Sequence, residues 1–254
     1  MSKRPVIVHF HLFKNAGTSV DKILKNNFAD RWVEIEGPNR RKLDTEALVS
    51  FIRANPQYDV ISSHTAVISV PQLDDINIIP IVFMRHPIDR IRSAYDFERK
   101  QDAQTPGAIK AKEGDFNHYM TWRLSTPAPW QISDFHASRF KDFHTFTPAK
   151  QREKFLPNSL ATIEALPLIG RVEEFDTSMV EYEKLITPHF PNFRTEKVHE
   201  NATTTQGLNL TQKLEVFKER IGADVYKQLL DLNANDMKLY EHVKSCFHAR
   251  LNHA

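Results

Sequence analysis

The sequence predicts an α/β protein in which a parallel sheet is covered by helices on both faces. Short strand-like runs at 6–12, 59–63, 78–84 and 168–172 alternate with helix-like stretches. That order builds βαβ crossovers rather than hairpins. The run at 78–84 is apolar almost without interruption, as a parallel strand buried on both faces should be. Helices are expected at 19–28, 45–54, 88–100, 116–123, 133–140, 148–156 and 177–187, and in the segments from Thr211 onward. The chain is long enough for one sizeable core. Motif spacing favours a single domain over 1–254, with a variable, acceptor-side insertion at about 101–147.

The first strand runs into Lys14-Asn15-Ala16-Gly17-Thr18-Ser19, and a helix is expected to begin near Ser19. A helix start presents unpaired amides and a partial positive charge, so an anion placed there meets donors already aimed at it. Gly17 lets the backbone come close, Lys14 supplies a cation, and the Thr18 and Ser19 hydroxyls add donors. The loop is P-loop-like, with one difference. In the nucleotide-hydrolysing pattern the lysine follows the last glycine and a magnesium-binding Ser/Thr comes next, whereas here Lys14 precedes Gly17.

The strand at 78–84 ends in Arg85-His86-Pro87, and Pro87 suits the first turn of the helix that follows. A guanidinium at the carboxyl end of a buried strand needs a partner, and that edge is where open α/β sheets bind ligands. Arg92, among acidic neighbours such as Asp89 and Asp96, reads as part of a solvated helix face. The stretch 101–114 contains Pro106 and two glycines. It reads as a mobile connection, either an acceptor lid or a surface loop.

Lys and Arg total 34 against 32 Asp and Glu, a balance that gives no drive towards a nucleic acid polymer or an anionic membrane. The lone Cys246 excludes an intrachain disulfide and a Cys-rich metal site, suits a reducing compartment, and is expected to pack within the last helix. No long apolar stretch is present, so neither a membrane span nor a signal peptide is expected, and the location expected is cytoplasmic. Met237, Tyr240, Val243 and Phe247 fall at helical spacing and read as core; Trp122 and Trp130 read as packing residues.

The string from His11 to Ser19 resembles the 5′-phosphosulfate loop of the sulfotransferases, and the segment from Arg85 to Tyr95 resembles their 3′-phosphate motif. The resemblance is to the carbohydrate type and is similar to the uronyl 2-O-sulfotransferases. It implies 3′-phosphoadenosine 5′-phosphosulfate (PAPS) as donor, no metal, and a hydroxyl acceptor of carbohydrate type. It also implies that Lys14, Asn15, Ala16, Gly17, Thr18 and Ser19 hold the 5′-phosphosulfate while Arg85 and Ser93 clasp the 3′-phosphate. His86 stands where the family often has an acidic residue. The segment 168–175 resembles the family's late strand and acidic turn, and 198–205 its closing loop, which would bring Asn201 and Thr203 to the donor.

His64 follows the strand at 59–63, so it should lie at the same sheet edge as Lys14 and Arg85. Histidine can take a hydroxyl proton at neutral pH, and the position resembles the histidine after the corresponding strand in the uronyl enzymes. His64 is therefore the expected base and Lys14 the second catalytic group. Asp96 and Glu98 are alternative bases, and His9 and His11 are expected to pack. Two other readings fit the loop: a P-loop kinase or nucleotide hydrolase, and a non-catalytic nucleotide-binding protein.

Overall fold

The computed structural model describes residues 3–127, 129–142, 155–196 and 207–252. Strands β1 (Arg4–Phe10), β2 (Trp32–Glu34), β3 (Val60–Ser63), β4 (Ile76–Met84) and β5 (Gly170–Arg171) form one parallel sheet in the order β2-β3-β1-β4-β5. The pleat of β1 sends Val6, Val8 and Phe10 into one core and Ile7 into the other; β4 likewise divides Ile78 and Val82 from Ile81 and Phe83. Fully burying each such apolar side chain contributes about 1.5–3 kcal/mol. The central strands are therefore apolar on both faces, as the sequence predicts.

Against the first face pack α2 (Thr45–Ala54), α6 (Phe135–Asp142), α7 (Phe155–Glu164) and α11 (Ala234–Asn252). The second face carries α1 (Gly17–Phe28), through Val20, Ile23 and Leu24, and α8 (Phe175–Ile186), through Met179, Tyr182 and Ile186. A satellite core joins α3 (Pro87–Lys100), α4 (Pro106–Glu113), α5 (Phe116–Ser125), α9 (Leu210–Ile221) and α10 (Ala223–Leu232) around Tyr95, Phe116, Tyr119 and Phe217. Chain connections leave β1 and β4, which are neighbours, towards opposite sides of the sheet. The crevice between their carboxyl ends is thus the topological switch point, where ligands of such sheets bind.

Several expectations are corrected. The stretch 101–114 contains α4: Thr105 caps it by accepting from the Ala108 amide at 3.3 Å, and Pro106 occupies its first turn rather than breaking it. Arg92 is buried, its guanidinium bound to Asp89 at 3.1 Å and Asp96 at 2.8 Å, so it is no solvated face. Trp130 is 41% exposed, and Cys246 is exposed, its Sγ 3.7 Å from His242 Nε2. Tyr240, Val243 and Phe247 are buried as expected. The helix expected at 148–156 is described only from Phe155, where α7 begins. Among the described residues no helix is long and apolar enough to cross a membrane.

Candidate functional site

At the carboxyl edge of the sheet lies a cleft of about 690 Å³ whose walls include His11, Lys14, Ala16, Gly17, Thr18, Ser19, His64, Arg85 and Ser93. Of the residues expected at the site, these are brought together. Asn15 lies beneath the cleft, and Asn201 and Thr203 fall outside the described residues.

The loop between β1 and α1 is bent by two non-glycine residues in the left-handed region, Lys14 and Ala16, both at φ 62°. Each costs on the order of 1–2 kcal/mol, a strain that sites keep only when the surroundings enforce it. Asn15 supplies that enforcement. Its side chain is buried, donating to the Phe13 carbonyl at 3.0 Å while its Oδ1 accepts from the Arg85 amide at 2.8 Å and from His136 Nε2 at 2.9 Å. One amide group therefore joins the loop after β1 to the end of β4 and to α6. No side chain caps α1, and the Ser19 amide donates to the Ala16 carbonyl at 3.0 Å, which leaves the Gly17 and Thr18 amides to an anion.

Gly17 is required by a close approach rather than by its backbone angles. A Cβ there would stand 2.0 Å from Cδ2 of His11, and that ring cannot swing away because its Nδ1 is bound to Asp21 at 2.8 Å. Gly17→Ala is expected to destabilise the fold by about 1–3 kcal/mol through overpacking and to weaken anion binding at the loop with it. Denaturant melts beside calorimetry check this; a variant matching wild type in both would show the ring is not pinned.

The cleft is cationic. Burial and the neighbouring Arg85 charge push the Lys14 ammonium below its usual range, so a bound anion would relieve both costs. Lys14 Nζ sits 4.7 Å over the Phe97 ring. Arg85 donates from Nε to Asp89 at 2.6 Å, and Asp89 also accepts from Arg92. Burial raises the Asp89 carboxyl, but the charges of Arg85 and Arg92 outweigh that and hold it low. Arg85 is thus aimed by a buried carboxylate in the first turn of α3.

Lys100 and Lys213 add two cleft cations that sequence reasoning missed. For Lys100 a signal existed: Ser93, Asp96, Phe97 and Lys100 are spaced i, i+3, i+4 and i+7 on α3, and all line the cleft. Lys213 comes from α9, far along the chain, and carries no local signal. Asp96 is engaged by Arg92, while Glu98 is buried against both Arg123 Nη2, at 2.7 Å, and the Tyr119 hydroxyl. Glu98 is thus held outside the cleft lining, whereas Asp96 lines it.

His64 stands on the loop after β3. Its backbone amide donates to Glu36 Oε1 at 2.9 Å, and Glu36 also accepts from the Thr65 hydroxyl, so the loop is held without the imidazole. The ring Nδ1 lies 3.1 Å from the His11 carbonyl. A carbonyl only accepts, so Nδ1 carries the proton and Nε2 keeps its lone pair. Burial, then the charge of His11, lowers the His64 pKa below 6.5, which keeps the ring neutral at pH 7. The His11 ring lies against it, centroids 3.9 Å apart. His9 is buried in the sheet as expected, but His11 lines the cleft.

Such a site can hold a ligand with separated anionic groups and take a proton beside it. The chain matches the family model described as "Sulfotransferase family" over residues 1–242. It is also 37% identical over 248 residues to an uncharacterized protein of Archaeoglobus fulgidus, covering 94% of this chain and 96% of that one.

Proposed function

The chain belongs to the sulfotransferase family, and on that premise we propose that it moves a sulfuryl group from PAPS to a hydroxyl of a carbohydrate, acting in the cytoplasm without a metal. The observation that carries this reading is one cleft lined by the Lys14–Ser19 loop, by Arg85 and Ser93, and by His64. The residues fit the donor: Lys14 and Arg85 are two cations lining one cleft, and the Lys14 charge carries a burial cost that an anion would offset.

The donor supplies an activated sulfuryl group when bound; the chain supplies position and charge. Lys14 and the first-turn amides of α1 would hold the 5′-phosphosulfate and the charge that grows on the leaving phosphate. Arg85 and Ser93 would hold the 3′-phosphate. His64 Nε2 takes the acceptor's proton as the acceptor oxygen bonds to sulfur and the sulfur–phosphate oxygen bond breaks. Asn15 serves by fixing the loop, since its side chain is engaged within the protein. Asn201 and Thr203 remain proposed donor contacts, and 101–147 the acceptor-side region.

Calorimetry tests the donor. The product nucleotide, 3′-phosphoadenosine 5′-phosphate, is expected to bind without magnesium, and Arg85→Ala to weaken it by about 30-fold or more, as for a buried charge-assisted contact. Preference for ATP with magnesium would return the chain to the kinase or hydrolase reading. Tight nucleotide binding with no product across a broad acceptor panel would favour a non-catalytic binder.

A further inference from the structure

The first strand delivers more than the phosphate loop. Asp21, on the second turn of α1, is buried and accepts from three side chains: His9 Nδ1 at 2.7 Å, His11 Nδ1 at 2.8 Å and the Ser62 hydroxyl at 2.5 Å. Ser62 in turn accepts from Trp32 Nε1 at 3.1 Å. The carboxylate therefore ties α1 to β1, β3 and β2. Burial alone would raise the Asp21 pKa, but the His9 charge and the hydrogen bonds from His11 and His9 hold it far below the usual carboxylate range. As an ionised acceptor, Asp21 requires both histidines to donate from Nδ1.

His11 is the link between this carboxylate and the cleft. Its backbone amide extends the ladder to the Ser63 carbonyl at 2.9 Å, its carbonyl accepts from His64 Nδ1, and its ring lies between His64 and the Gly17 backbone. A free imidazole in water favours the Nε2–H tautomer, which would point a proton, not a lone pair, at an acceptor. Something must hold His64 in the other form.

We infer that Asp21 and His11 are positioning residues for His64: Asp21 clamps the His11 ring, and the His11 ring and carbonyl hold His64 in the Nδ1–H tautomer with its Nε2 lone pair open to the cleft. The inference rests on His64 as the base. Neither Asp21 nor His11 takes the acceptor proton; they fix the ring that does, as orienting partners do elsewhere.

Two-dimensional ¹H–¹⁵N spectra of the histidine rings, assigned with His64→Ala, test this on the whole chain and need no acceptor. Wild type is expected to show His64 as the Nδ1–H tautomer, and Asp21→Asn a mixture. Finding the Nε2–H form in wild type would overturn the inference, whether or not any variant folds. Where an acceptor is known, Asp21→Asn is expected to lower kcat by about 10–100-fold, within the range of general acid–base effects, with nucleotide Kd within about threefold of wild type. An unchanged kcat and tautomer, or an equal loss of kcat and nucleotide affinity, would also overturn it. Should Asp21→Asn unfold, His11→Ala, which keeps the carbonyl but removes the platform, is expected to give the same mixed tautomer; an unchanged spectrum would again overturn it. Full turnover in His64→Ala is a separate outcome: it would remove the base, while the tautomer spectrum still reports the clamp.

Discussion

His64→Ala is expected to lower turnover by about 10²–10⁴-fold, the usual contribution of a positioned general base, with nucleotide affinity unchanged. The loop survives the substitution because its anchors are backbone and hydroxyl donors to Glu36, not the imidazole. On the proposed reading, the lost function is therefore proton removal alone. The pH profile adds a second, independent reading. Burial lowers the His64 pKa below 6.5, and a base works only when unprotonated. The acid limb of kcat/KM, which reports the free enzyme, should lie below pH 6.5 in wild type and should vanish in the alanine variant. An acid limb that persists unchanged in His64→Ala would assign the titration to another group.

The second large effect is on stability. Asp236, in the first turn of α11, is fully buried; its Oδ2 accepts from the amide and Nδ1 of His136, at 2.9 and 3.1 Å, and its Oδ1 from the Ala137 amide at 2.7 Å. Burial raises its pKa, but the His136 charge and these hydrogen bonds outweigh that, so the carboxyl is held low. Asp236→Ala would strand a buried imidazole and two amides at the start of α6. The expected cost is about 3–5 kcal/mol, or a Tm fall of roughly 10 °C for a chain of this size. Because His136 also contacts Asn15, the surviving folded fraction should bind nucleotide less tightly. A folded-state pKa below 3.8 means this stabilisation is present above that pH and is lost as pH falls through the folded value. Equal loss of stability at pH 7 and at pH 2 would contradict the ion-pair account, and a cost under about 1 kcal/mol would show that the network is dispensable.

The elements that sequence alone locates are those whose pattern is local. The apolar runs of β1 and β4, and the helices α1, α2 and α3, are bounded by their own residues, so parallel order and the shared sheet edge follow from them. The three-residue β2 escaped notice because an edge strand this short has no periodicity to detect. The helix α4 was hidden because Pro106 and Gly107 read as breakers; Gly107 in fact faces Glu98 and Arg123, where a Cβ would stand 2.5 Å from the carboxylate. Arg92 and Trp130 exchanged their expected environments because burial depends on distant elements. The cleft's two ends were legible from the loop and from Arg85. Its supports were not: Asn15 meets His136 121 positions away, and nothing local distinguishes Asp21 from any other acidic residue of a helix.

The Asn15 amide also has a geometric consequence. By accepting simultaneously from the end of β4 and from α6, it makes the distance between the loop after β1 and Arg85 a fixed gauge. On the proposed reading, a nucleotide bridging the two would be held across that span before any chemistry occurs. Selectivity for such a donor would then be a property of a span rather than of any single contact.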